Sequence, residues 1–294
     1  MPRDHPPLAT RLTAAEGSLR DRRSQLLEAV RQDPAFERAN ITLYPYDPLE
    51  NLPAILRLVD DRIAARLDAS NRTMIDIGCA NGDLGFAFEE AGFSVALLDR
   101  SHVAEAAGSQ VQQDAPLVAS LMARQLGSRA VIFNEDVDDG FDPDRVLEGF
   151  ARSFVGDPPF ERFALGVMVG VLYHLKNPYA AIEKLRRLCD HLVVGTWVMD
   201  CLPKRWRMVA DDQVVFLLGD RQLADDPSNY WIFTPRSFRV LVERSGWRVV
   251  AEHVVTKDEV PRHERWLSRL GLVGASPPDA VRRRVFMLLE RTDI

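Results

Sequence analysis

The densest chemistry in the sequence lies in Asp76-Ile77-Gly78-Cys79-Ala80-Asn81-Gly82-Asp83-Leu84-Gly85. Small residues at Gly78, Ala80 and Gly82 let a backbone turn tightly and let a ligand come close. Asp99 follows 17 residues after Gly82. A carboxylate at that place can accept both ribose hydroxyls of an adenosine. Cys79 and Ala80 break the dinucleotide spacing G-x-G-x-x-G, and no phosphate-cradling G-x-x-x-x-G-K-S/T occurs. What fits is adenosine carrying a tail other than phosphate. Asp76 can orient an ammonium or a water through a charge-assisted hydrogen bond. A plain tight turn with a helix-start charge at Asp76 is the bland alternative, and Asp99 at the next strand end weighs against it.

A second group of candidates lies further along. Gly170-Val171-Leu172-Tyr173-His174 follows an apolar run. His174 reads either as a general base for an oxygen or nitrogen nucleophile, or as a histidine that positions a strand-end loop. Tyr173 lines a pocket or packs as an ordinary aromatic. Asp226-Pro227-Ser228-Asn229-Tyr230-Trp231 is polar and aromatic, with little helical or strand period. Such a loop over an α/β edge commonly forms a substrate lid, which makes Asn229, Tyr230 and Trp231 candidate substrate contacts. Tyr44 and Tyr46, in an early Pro-rich loop, are candidates to close the same pocket from the other side. His102 reads as a loop residue near the cofactor. No H-E-x-x-H or His/carboxylate cluster at ligand spacing implies a metal.

The elements around these residues follow from periodicity. Residues 1–10 read as loose, and a helix runs from Leu12 to Arg31, stopped by Asp33-Pro34. Asn51 reads as the N-cap of a helix carrying Ile55, Leu56, Val59, Ile63 and Leu67. Strands are expected at 73–78, 94–99, 130–134, 163–174 and 191–198, separated by helices of about 10–15 residues. Residues 200–233 read as an irregular insertion. Thr234 caps a helix ending at Gly246, and the strands at 248–255 and 283–291 form an antiparallel hairpin. The expected fold is α/β: a Rossmann-like, doubly wound, mostly parallel seven-stranded sheet. Residues 1–50 form a helical extension, and 51–294 a single domain carrying the insertion.

Composition narrows the class. With 294 residues, 46% hydrophobic and 27% charged, the chain can bury a sizeable core, so disordered and disulfide-scaffold classes are excluded. A net charge of -6 disfavours a strongly basic nucleic-acid binder. Cys79, Cys189 and Cys201 form no C-x-x-C pair, which fits reduced thiols and a cytoplasmic location. No secretory signal and no apolar run of about 18 residues is present, so no membrane partner is expected.

These residues resemble class I S-adenosylmethionine (SAM) methyltransferases. IDIGCANGD is similar to that family's first motif, D-x-G-x-G-x-G, with Ala80 in the place of the central glycine; LLDRS resembles the second. The resemblance implies SAM as cofactor, with Asp76, Gly78, Cys79, Ala80, Gly82, Asp99, Arg100, Asp136, Val137 and Gly170 on its side. Asp99 would hold the ribose, Asp136 the adenine amino group, Val137 the ring face, and Tyr173 and His174 would face the methyl. GVLYH, NYWIFTPRSFRVLVERSGW and the 283–291 strand resemble a narrower group, the tRNA wobble-uridine methyl and carboxymethyl transferases. That group's basic Trp-Arg-Lys-Gly segment is missing here, which favours plain SAM over its carboxylated form. Arg283 falls near an arginine that those enzymes use at their site. The leading expectation is transfer to oxygen or nitrogen of a small metabolite. A tRNA substrate is the alternative, supported by Lys204-Arg205-Arg207 and Arg282-Arg283-Arg284. A non-catalytic SAM-binding module is the third reading. The oligomeric state is left open.

Overall fold

The computed structural model describes residues 6–59, 61–69, 72–106, 109–153, 160–199, 211–220, 222–223, 226–256 and 283–292. Cys201, Lys204, Arg205, Arg207 and Arg282 lie outside the described residues. The elements are α1 (Leu8–Arg31), α2 (Pro34–Ala39), α3 (Leu52–Leu58), α4 (Asp61–Ala69), β1 (Thr73–Ile77), α5 (Asp83–Glu90), β2 (Ser94–Asp99), β3 (Ser101–Ala106), β4 (Ser109–Asp114), α6 (Ala115–Leu126), β5 (Val131–Asn134), α7 (Pro143–Ser153), β6 (Phe163–Val169), α8 (Pro178–Leu188), β7 (Cys189–Val198), β8 (Val215–Leu217), β9 (Trp231–Phe233), α9 (Pro235–Arg244), β10 (Trp247–Thr256) and β11 (Arg283–Arg291). They fall into two compact units: Met1–Val167 with Arg187–Leu192, and Met168–Arg186 with Val193–Ile294.

In the first unit the strand order is β6-β1-β2-β5, all parallel. The chain starts in the middle at β1, walks outward to β5 and returns to β6 on β1's other side. That reversal opens a crevice at the carboxyl end of β1, the usual ligand position in such sheets. β1 reads TMIDI and is buried at every position, as a strand covered on both faces must be. α5 packs tightly on β2: a Cβ placed on Gly85 would sit 2.2 Å from Leu97 Cδ2, so only glycine fits there. α1 packs along α5 and α6. Its buried Leu8, Leu12, Leu19 and Val30 contribute on the order of 1.5–3 kcal/mol each.

The second unit contains β10-β11-β7, with β9 parallel to β7 and β8 antiparallel to β9. β10 and β11 form the expected antiparallel pair. β7, β10 and β11 are strands the sequence led us to expect; β8 and β9 are additional. The fold is a Rossmann-like, mostly parallel α/β architecture with N-terminal helices.

Several local expectations are corrected. The first helix begins at Leu8, because Leu8 and Leu12 extend its buried stripe by a turn. Asn51 makes no cap hydrogen bond. Asp47 instead accepts from Leu49 N at 3.0 Å and opens a 3₁₀ turn, Pro48–Asn51, ahead of α3. An aspartate followed by proline is the stronger start. β3 and β4 form an unforeseen hairpin, which puts His102 in a strand rather than a loop. The stretch read as irregular carries β8 and β9, and Trp231 opens β9. Thr234 caps α9 as expected, accepting from Ser237 N.

Candidate active site

The turn after β1 is built from left-handed residues: Gly78 (φ 75°), Ala80 (φ 51°) and Gly82 (φ 87°). Four of the five amide hydrogens of Gly78–Gly82 are consumed internally. Gly78 N and Cys79 N both donate to Leu98 O, at 2.8 and 3.2 Å, and Gly82 N donates to Cys79 O. Ala80 N donates to Asp99 Oδ2 at 2.8 Å, and Gly85 N to Asp76 Oδ2 at 3.2 Å. A phosphate site needs inward N–H donors, and these five are spent. What the turn gathers instead is carboxylate: Asp76 and Asp83, both buried, and Asp99, half-buried. This set of acceptors fits a cofactor with an adenosine and a cationic tail, such as the ammonium and sulfonium of SAM.

Burial pushes the Asp76 carboxyl up to about 7, with the nearby charges of Asp99 and Asp83 adding to the rise and the Gly85 hydrogen bond opposing it. Burial, then Asp99 and Asp76, pushes the Cys79 thiol up as well. Cys79 therefore stays a neutral thiol and is no nucleophile.

β2 and β5 bring the remaining cofactor-side candidates to the same edge. Asp99 stands opposite Asn134 in the ladder. Its Oδ1 accepts from Arg100 N at 2.8 Å, so backbone donors hold both oxygens in place. Arg100 pairs through Nη1 with Asp136 Oδ2, while Asp136 Oδ1 accepts from Asp138 N. Val137 is buried. The structure thus gathers Asp76, Gly78, Cys79, Ala80, Gly82, Asp99, Arg100, Asp136 and Val137 around one edge.

Sequence reasoning missed how the N-terminal extension ties into this turn. Asn81 Oδ1 accepts from Tyr44 N at 3.2 Å, and Asn81 Nδ2 donates to Tyr44 O at 3.4 Å. Arg23 of α1 donates from Nε to Asp83 Oδ1 at 2.9 Å and from Nη2 to Tyr46 O at 3.1 Å. Asp83 is 3% exposed. Burial raises its pKa first, and Arg23 counters that rise. Arg23 sits 60 residues before Asp83 on a charged helix face, so no local pattern could have marked it. The Tyr44 and Tyr46 rings meet edge to face, 5.4 Å apart, and both are exposed. Arg23→Ala is expected to lower stability by about 1–2 kcal/mol, less than for a fully buried pair because Arg23 is 20% exposed. Hydrogen exchange should speed up at residues 41–47. Urea melts and exchange mass spectrometry check both effects.

The second unit holds the other candidates. Gly170 (φ 78°) donates from N to Gly195 O at 2.9 Å, and a 3₁₀ turn, Leu172–His174, follows. The Tyr173 and His174 rings lie 4.3 Å apart. His174 Nδ1 lies 2.9 Å from Ser228 Oγ and 3.2 Å from Ser228 O. Tyr230 N donates to Tyr173 O at 2.8 Å. The 226–231 loop is therefore fastened to the GVLYH turn, and Tyr230 takes part through its backbone. Asn229 is 6% exposed. Its Nδ2 donates to Leu223 O, while its Oδ1 is buried without a partner; so is Trp231 Nε1. Arg283 opens β11, and Arg284 lies 4.3 Å over the Trp197 ring. Ser228 was not singled out in the sequence, since serine in a turn is ordinary.

Among the described residues no helix is long and apolar enough to cross a membrane, and no cluster of His, Cys, Asp and Glu could hold a metal.

No curated protein matches the chain. Among solved structures, the chain is similar to the N-terminal domain of EvdMO1 with SAH bound, at 13% identity over 92% of this chain and 97% of that one, with a TM-score of 0.48. It is also similar to the Burkholderia thailandensis 1,6-didemethyltoxoflavin-N1-methyltransferase, at 15% identity over 86% and 94%, with a TM-score of 0.44. A third likeness is the Synechocystis magnesium protoporphyrin IX methyltransferase with bound SAH, at 13% identity over 96% and 100%, with a TM-score of 0.45. Residues 48–252, well over half of the chain, match the family described as a methyltransferase domain. With its turn of spent amides and gathered carboxylates, the chain belongs to that family and is an S-adenosylmethionine-dependent methyltransferase.

Proposed function

We propose that the enzyme methylates an oxygen or nitrogen nucleophile of a small-molecule metabolite. The observation that carries the acceptor class is the pair of buried unpartnered groups in the second unit, Asn229 Oδ1 and Trp231 Nε1. An unmet acceptor and an unmet donor are costly unless a ligand satisfies them. A compact polar molecule with hydroxyl or amide groups does so. The net charge of -6 supports the same reading. The EvdMO1 domain, also solved in the presence of SAH and D-fucose, and the 1,6-didemethyltoxoflavin-N1-methyltransferase are named with small molecules, and we extend that chemistry to this chain as a proposal.

The cofactor, when bound, supplies a methyl on a sulfonium, a good leaving group. Asp76 would hold its ammonium, Asp99 its ribose hydroxyls and Asp136 its adenine amino group, and Val137 would flank the ring. Gly78, Cys79, Ala80 and Gly82 would form the close backbone with Arg100 beside them, and Gly170 is a further cofactor candidate in the second unit. On the acceptor side, Asn229, Tyr230, Trp231 and Arg283 bind and orient the nucleophile. Tyr173 shapes the methyl pocket, and His174 takes up the acceptor's proton. The Arg283–Arg284 part of the basic cluster gives tRNA little purchase, because Arg284 is engaged over Trp197.

Radiolabelled methyl from SAM should appear in hydroxylated and amine-bearing small molecules and not in bulk tRNA. Labelling of tRNA with steep salt dependence overturns the proposal. His174→Ala should lower turnover by about tenfold, since a good leaving group and water cover part of the loss. Calorimetric affinity for S-adenosylhomocysteine should be unchanged; full turnover would remove His174 as the base.

A further inference from the structure

We infer that Arg23 binds the carboxylate of the cofactor's amino acid tail, with Asp83 orienting Arg23 and sharing the tail's ammonium with Asp76. This deepens the proposed placement of the cofactor at the turn after β1 and rests on it. The tail is a zwitterion. The acids gathered at the turn answer its ammonium, and its carboxylate calls for a cation. Arg23 is a cation bonded to this turn: its Nε donates to Asp83 Oδ1 at 2.9 Å, and Asp83 directly follows Gly82.

The pair is incomplete on both sides. Asp83 is 3% exposed, and its Oδ2 is buried with no hydrogen-bond partner among the described residues. Arg23 uses Nε on Asp83, with Asp47 Oδ1 3.8 Å away, and Nη2 on Tyr46 O at 3.1 Å. Among the described residues Nη1 has no partner. It carries two hydrogens beside those of Nη2, a fork that fits the two oxygens of a carboxylate. The Arg23 side chain is 20% exposed, so a ligand can reach it. A buried carboxylate oxygen without a donor is costly. One group of the pair thus lacks a donor and the other an acceptor, and an ammonium and a carboxylate on one carbon supply both. Asp83 is close enough to Asp76 for its charge to raise that carboxyl, and an ammonium has three hydrogens to divide between two acids. The guanidinium is held in place from several directions. Arg20, on the same helix, pairs with Asp47, next to Tyr46. The Asn81 side chain binds both backbone groups of Tyr44 and carries the loop on the same turn.

Calorimetry of the full chain compares S-adenosylhomocysteine with the same molecule bearing hydrogen in place of its carboxylate, which keeps the ammonium. Wild type should bind the first about ten- to thirtyfold more tightly. Arg23→Met should bring the two affinities within about threefold of each other. Arg23→Lys keeps a charge without the fork, and its ratio should fall between. Asp99→Ala should weaken both ligands alike and leave the ratio, because it removes a sugar contact and not a tail contact. A wild-type ratio near one overturns the inference and needs no variant to fold. Equal weakening of both ligands in Arg23→Met, with the ratio kept, also overturns it, since Arg23 would then only tie the loop to the turn. Undiminished binding of both ligands by Asp99→Ala overturns instead the placement of the cofactor at this edge, so the two failures are separable.

Discussion

Asp99→Ala is expected to weaken S-adenosylhomocysteine binding about ten- to a hundredfold, on the order of 1.5–3 kcal/mol for a lost charge-assisted hydrogen bond. The carboxylate has two duties. Its oxygens fix Ala80 N and Arg100 N, and in the proposed role they hold the ribose at the end of β2. Removal therefore costs the protein as well: Ala80 N–H loses its acceptor, at about 1–2 kcal/mol of stability. Asp99→Asn separates the two duties. The amide oxygen still accepts from one backbone N–H, but its NH₂ meets the other donor, so affinity should fall with a smaller loss of melting temperature. Calorimetric titration together with thermal melts checks this. A variant that binds cofactor undiminished while its melting temperature falls would confine Asp99 to holding the turn.

How far the sequence could be read depended on whether a feature is local. The turn from Gly78 to Gly82 and the acid at Asp99 announce themselves, because their residue types follow from backbone conformation and strand-end position. The cap at Thr234 and the left-handed Gly127 after α6 are equally local. The β3/β4 hairpin was invisible because Ser101–Asp114 carries few apolar residues to show a period of two. The Asp47 cap was passed over because Asn51 offers the same chemistry four residues on. The Arg23–Asp83 pair and the His174–Ser228 contact join residues 60 and 54 positions apart, so only tertiary structure brings them together. The gathering of three carboxylates was written in the sequence as residue types. That the amides of Gly78, Cys79, Ala80 and Gly82 are already spent within the protein was not.

Asp76 carries the second large effect, which appears as a pH dependence. Its carboxyl is raised from 3.8 to about 7, chiefly by burial. The folded protein therefore holds this proton more tightly than the unfolded chain. Asp76 favours folding most below about pH 4, and that contribution is lost as the pH rises from about 4 through about 7, then stays lost. Asp76→Asn cannot ionise and keeps an oxygen for Gly85 N. It should be more stable than wild type at pH 8, by on the order of 2–4 kcal/mol, and the two should converge near pH 4 in urea melts. The cofactor reverses the preference. An ammonium beside Asp76 favours the carboxylate, so binding below pH 7 must expel the proton. Affinity for S-adenosylhomocysteine should fall by up to about tenfold per pH unit below 7. Calorimetry in buffers of different ionisation heat should show nearly one proton released per cofactor near pH 6. Asp76→Asn should bind weakly and lose both dependences. A wild-type affinity that stays flat from pH 8 to 5.5 would mean that the buried acid meets no cation, and that its charge serves the turn alone.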